Sequence, residues 1–217
     1  MKVSGRTRDL VILVDKGAYH FTRHWVALFN VVLFLYVVPT FLAPYLVHAG
    51  YERAGRLIYG LYGPPVCHQL PERSFYLFGS KMDYSWAELV AAGMDPTQFS
   101  LERRYFLGTA ELGYKIAVCQ RDIAIYVGIF AFGFLYALLR RRWCINPLPW
   151  WGLVLLALPL AVDGLAQLVG LRESTPAARV FTGLCATAGG IGFVYPHIET
   201  AMADLRRDIA RKLNRAA

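Results

Sequence analysis

The stretch WVALFNVVLFLYVVPTFLAPYLV, residues 25–47, runs for 23 positions without a charged side chain. At about 1.5 Å per residue, a helix of that length covers a hydrocarbon core of about 30 Å with some tilt. Pro39 and Pro44 would damage a soluble helix. Membrane helices tolerate proline when neighbouring groups satisfy the freed carbonyls. A cleaved leader has an apolar region of about 7–15 residues followed by small residues at the cut. This run is longer and ends in APYLVHAGY, so it reads as a retained span.

Three more runs follow the same logic. Residues 123–139 stop at the triplet Arg140–Arg142. Residues 150–171 carry one acid, Asp163. Residues 180–198 are rich in glycine. Composition agrees with this: 56% of the 217 residues are hydrophobic, 18% are charged, and the mean hydropathy is +0.38. That is too apolar for a soluble domain of this size, and four cysteines do not make a disulfide scaffold. The fold class is therefore all-α: a polytopic membrane protein of four transmembrane helices, forming one membrane domain over residues 1–217. Residues 49–121 form an external cap of short helices and loop.

The net charge of +8 is unevenly placed. Thirteen cations and five acids lie before the first span, after the second and after the fourth. The long connection and its side of the bilayer hold ten cations and eight acids, with Asp122 at the edge. The positive-inside rule then puts both termini in the cytoplasm and the protein in the cytoplasmic (inner) membrane. Trp25, Trp143, Trp150 and Trp151 fall at the cytoplasmic ends of the spans, where amphipathic rings prefer the interface. The basic tail, 200–217, has Leu205, Ile209 and Leu213 four apart. It reads either as a helix on anionic inner-leaflet lipid or as a solvated helix that fixes topology. Topology accounts for the positive charge and no recognition module is present, so nucleic acid is not an expected partner.

Inside the cap, Ser85 and Glu88 have the spacing of a capping box that Gly93 would end, and Ser100 reads as the cap of another short helix. Gly63-Pro64-Pro65 would stop a helix running from Tyr51 to Tyr62. Two cysteine stretches bracket these elements, VCHQLPERSF around Cys67 and VCQRD around Cys119. Cys67, His68, Cys119 and Asp122 offer two sulfurs, an imidazole and a carboxylate, a donor set that suits tetrahedral zinc. Adjacent Cys-His ligation is not the usual zinc spacing. The competing assignments are a Cys67–Cys119 disulfide, since these are the two cysteines on the external side, and two inert buried thiols. Cys144 and Cys185 read as packing residues. Arg121 stands beside Cys119, where a cation would favour the thiolate.

A second constellation lies in the third span and after it. Asp163 and Gln167 share a helix face, and Asp163 falls near mid-membrane, where an ionisable group is costly and points to function. The competing role is a structural acid that holds two helices together. Arg172 and Arg179 stand at the outer mouth, where they pair with acids or an anionic ligand, or snorkel to the interface. Thr175 and Pro176 make a good start for the fourth span. Ala186/Gly190 and Ala188/Gly192 are small-xxx-small pairs that permit close helix packing.

CHQLPERSFYLFG, GYKIAVCQRDIAIYVG, VDGLAQLVGLREST and RVFTG together resemble an uncharacterised family of prokaryotic integral membrane proteins. The resemblance covers about residues 60–190, with a gap in the middle of the cap. Many members carry Cys-x-Arg-Cys where this chain has Cys119-Gln-Arg121-Asp122, so an all-sulfur site is not available here. The family brings no reaction with it, but its motifs travel together, which favours a shared ligand. Together these features imply a small membrane protein with a metal or thiol site at its outer face. As an enzyme it would use metal-bound water, with Asp163, Gln167 and Arg172 as the reacting or orienting groups. The alternatives are an accessory subunit, bound to another membrane protein, whose cap a disulfide pins, and thirdly a small transporter. A transporter fits poorly with four spans, one acid and no inverted repeat.

Overall fold

A computed structural model describes residues 5–63 and 66–216, without the side chains of Ser100, Arg215 and Ala216. Lys2, the Pro64-Pro65 stop, the Ser100 side-chain cap and Arg215 accordingly lie outside what is described. Four helices are long and apolar enough to cross a membrane: α1 (Arg6–His48), α5 (Gln120–Leu139), α6 (Trp150–Leu168) and α7 (Pro176–Ala216). Between α1 and α5 lie α2 (Glu52–Leu61), β1 (Ser74–Leu77), α3 (Trp86–Ala91), α4 (Ser100–Arg103), β2 (Gly108–Thr109) and β3 (Gly113–Cys119).

The long helices bury one stripe and expose the rest. In α1 the buried positions include Val26, Asn30, Leu33, Val37, Thr40 and Ala43, three or four apart, with Trp25 and Pro44 adjoining. Val31, Val32, Phe34, Leu35 and Val38 on the other faces are exposed. An apolar surface of that extent is what a hydrocarbon solvent permits and water does not. α6 buries only Gly152 and Asp163. α1 is 43 residues long and α7 is 41, so each is about 60 Å or more and outruns the bilayer. The fourth span and the basic tail are thus one continuous helix.

α7 packs against α5, α6 and α1. Two glycines set the approach: a Cβ on Gly189 would lie 2.9 Å from Leu156 Cβ, and one on Gly183 would lie 3.1 Å from Ala124 Cβ. Gly190, which the small-xxx-small pattern singles out, meets nothing within 4 Å, and Gly192 makes only ordinary contact with Leu148. At the terminal end Glu199 accepts from Trp25 Nε1 (2.8 Å) and pairs with Arg140, tying α7 to α1 and α5. In the tail Ile209 is buried, Leu205 is exposed, and Arg206, Arg207 and Arg211 pair with Glu199, Asp204 and Asp208. Part of the apolar stripe therefore packs on the protein rather than facing away from it.

The cap contains a three-stranded antiparallel sheet in the order β1-β3-β2, which the helix-and-loop expectation did not include. Ser74 pairs with Cys119 and Tyr76 with Lys115, with a bulge between them. β3 is buried on both faces from Lys115 to Val118, so the strand lacks the alternation that marks a half-buried one. It runs straight into α5. α2 lies against the end of α1 through Gly55, where a Cβ would sit 2.5 Å from Val47 Cγ2. Tyr59 and Tyr62 then reach inward, their hydroxyls donating to Lys115 O and Tyr36 O. α3 starts on the expected capping box, Glu88 N donating to Ser85 Oγ and Ser85 N to Glu88 Oε2, and ends before Gly93 at φ +99.

Candidate functional site

The tight turn after α2 presents Cys67. Gln69 sits at φ +54, a conformation few non-glycine residues adopt. Its side chain holds it there, Nε2 donating to Tyr59 O (2.9 Å) and Ala117 O (2.7 Å). The turn aims the N–H of Gln69 back at Cys67 Sγ (3.4 Å), and the N–H of Cys119, at the end of β3, donates to the same sulfur (3.2 Å). One turn into α5, Asp122 accepts from Cys119 Sγ (3.0 Å). The donor atoms of Cys67, Cys119 and Asp122 all lie within 4.8 Å of one another. Ligands 2.3 Å from one ion at the tetrahedral angle stand about 3.8 Å apart, a spacing of the same order as that of the trio. The neighbouring thiol of Cys119, burial and Asp122 push the Cys67 thiol above its ordinary pKa. His68, the fourth expected ligand, stands outside the trio: its ring is exposed and lines the adjoining cavity. The described cysteines are free thiols.

That cavity measures about 1310 Å³. Cys67, His68, Cys119, Arg121, Asp122 and Gln167 all line it, so sequence stretches far apart in the chain meet there. Asp163 and Arg172 stand beside it rather than in its wall. Asp163 is 2% exposed and is saturated with donors: Arg121 (2.5 Å) and Ser174 Oγ (2.7 Å) on one oxygen, Arg172 (2.9 Å) on the other. α6 ends at Leu168 rather than Leu171, so Asp163 lies about 7.5 Å from the cap end. Its partners are Arg121 in the first turn of α5 and Arg172 and Ser174 in the α6–α7 connection.

Several residues of the site escaped the motif reading. Lys115 is fully buried, its Nζ donating to Gln69 O (2.7 Å) and Arg104 O (2.6 Å). Burial lowers its pKa to about 7. Two carbonyls match the two N–H bonds of a neutral amine. Gln120, also buried, donates to Ser74 O (3.2 Å) and accepts from Arg179 NH1 (2.9 Å). The available signals were a lone lysine inside an apolar run and a glutamine within two residues of Cys67 and of Cys119.

Four apolar helices and a capped polar cavity at one end define a polytopic membrane protein with a sulfur- and carboxylate-lined site. The family model described as "Predicted membrane protein (DUF2085)" matches residues 106–195. A protein of Methanothermobacter thermautotrophicus, described as uncharacterized, is 38% identical over 36% of this chain and 68% of its own length. Another, from Methanocaldococcus jannaschii and likewise described as uncharacterized, is 28% identical over 75% of this chain and 85% of its own length. The chain belongs to this family of membrane proteins. No solved structure matches it.

Proposed function

We propose that the protein is a membrane metal-site protein whose Cys67, Cys119 and Asp122 bind a divalent thiophilic ion, zinc by donor type, beneath an extracytoplasmic cap. The environment of Cys67 carries this: a buried sulfur accepts two backbone N–H groups beside a second thiol and a carboxylate. Amide donors of that kind favour charge on sulfur, as a metal-bound thiolate requires. The second thiol, burial and Asp122 disfavour charge on Cys67, and a dication among the three groups removes that penalty. Three protein ligands leave a fourth position facing the cavity for water, His68 or a ligand, the open arrangement of sites that do chemistry. Asp163 serves as the anchor of Arg121 and Arg172, which with Ser174 donate to its two oxygens. Uneven charge favours cytoplasmic termini and a cap on the outer side.

Metal analysis of the purified protein, beside a count of free thiols, tests this. The expected result is about one equivalent of zinc per chain, lost in Cys67→Ser and Asp122→Asn. Absence of metal together with two thiols fewer than four would replace the site by a Cys67–Cys119 disulfide, which the proximity of the two sulfurs also favours.

A further inference from the structure

Arg73, Arg103, Arg121 and Arg179 line the cavity, among acids that include Glu72, Asp122 and Glu173. Arg179 is only 4% exposed, yet it has one full-strength hydrogen bond, to Gln120 Oε1 at 2.9 Å. Its other contact is Glu173 Oε2 at 3.5 Å. Its Nε finds no acceptor among the described residues, and the same holds for the buried Nε atoms of Arg73 and Arg121. A buried cation so sparsely paired is costly unless something else completes its shell.

Glu173 partly fills that role. Its side chain is 74% exposed, and its two oxygens are stretched over three donors: Gln167 Nε2 at 3.0 Å, Arg73 at 3.3 Å and Arg179 at 3.5 Å. Charge-assisted pairs in good register sit at about 2.7–2.9 Å. The two arginine contacts of Glu173 are longer than that, whereas a tetrahedral oxyanion presents one oxygen to each donor. The N-terminal turns of α5 and α7 also border the cavity, through Arg121 and Asp122 and through Pro176, and both bring positive partial charge to it.

We propose that Arg73, Arg179 and Gln167 bind a phosphate-type oxyanion in this cavity, and that Glu173 holds the place until the ligand displaces it. The ligand class is a phosphate or the phosphate headgroup of a lipid. The inference goes beyond the metal reading and does not depend on it.

Equilibrium binding to the purified full-length chain in detergent, after chelator treatment, decides the matter. The probes are inorganic phosphate and dihexanoyl phosphatidic acid. At least one should bind saturably. Glu173→Gln removes the competing carboxylate and should tighten binding about tenfold, a gain that misfolding cannot imitate. Arg73→Gln, at a partly exposed position, should weaken it about tenfold or more. Phosphate binding without the lipid assigns a soluble ligand, and lipid binding with the same dependence assigns a headgroup. Failure of both probes overturns the inference, as does binding indifferent to Glu173→Gln and Arg73→Gln. In Cys67→Ser the phosphate affinity should persist although metal is lost. If affinity is found only without chelator treatment and disappears with Cys67, the anion is a ligand of the metal and the arginine site is wrong.

Discussion

Gln69 and Lys115 hold the site together from behind. Gln69 clamps a left-handed turn with two side-chain hydrogen bonds, and its own carbonyl is one of two acceptors for Lys115. Gln69→Ala leaves the carbonyls of Tyr59 and Ala117 without that donor, at a cost of about 2–4 kcal/mol. The same change should lower metal occupancy under competition with a chelator, since the turn no longer aims its N–H at Cys67. Lys115 gives a pH signature. Its pKa in the fold, about 7, lies below the unfolded value of 10.5, so between those values the unfolded chain holds a proton that the native one has released. Stability of the cap should therefore rise as pH goes from about 7 towards 10, by at most about 1.4 kcal/mol per pH unit. It should level off below 7, where both states are charged. Thermal unfolding read at Trp86 across that range checks this, and in Lys115→Met the slope should vanish while the melting temperature at pH 9 falls, because two carbonyls lose their donor.

At the scale of elements, close approach of α7 to α6 depends on Gly189. Gly189→Ala places a Cβ 2.9 Å from Leu156 and should destabilise the detergent-solubilised protein by about 1–3 kcal/mol. Gly190→Ala, with nothing within 4 Å, should be neutral or slightly stabilising. Equal melting temperatures for the two variants would refute this packing. Asp163 is the second tie, joining α6 to α5 through Arg121 and to the α6–α7 connection through Arg172 and Ser174. Asp163→Asn removes the charge from between two arginines and should cost about 3–5 kcal/mol. A normal melting temperature in that variant would restore Asp163 to the candidates for a chemical role. The spans were legible because a charge-free run of bilayer length has few other meanings. β3 was not, because a strand apolar on both faces and continuous with a span has no period of its own. The glycine pairs were legible as a composition but not as contacts, since spacing does not say which side of a helix a neighbour occupies.

For the whole molecule, orientation is the outstanding property that charge distribution argues. In a Cys144→Ser background, Ser85→Cys should react with a membrane-impermeant thiol reagent in intact cells, and Asn214→Cys only after permeabilisation. The reverse pattern would place the cap inside and remove the extracytoplasmic setting of the proposed metal site. The four spans follow from the sequence by itself, because burying about 20 apolar residues in hydrocarbon is a local property of each segment. So does the capping box of α3, whose partners are three residues apart. Which chemistry-bearing residues meet was decided only in three dimensions. Cys67 and Cys119 come together because Gln69 and the pairing of Ser74 with Cys119 fold the cap onto the start of α5. His68, beside Cys67 in the chain, is turned towards the cavity instead. Asp163 is saturated by Arg121, Arg172 and Ser174, which leaves Arg73 and Arg179 sharing an exposed Glu173. Each outcome depends on contacts between segments far apart in sequence, and no local pattern records which donor reaches which acceptor.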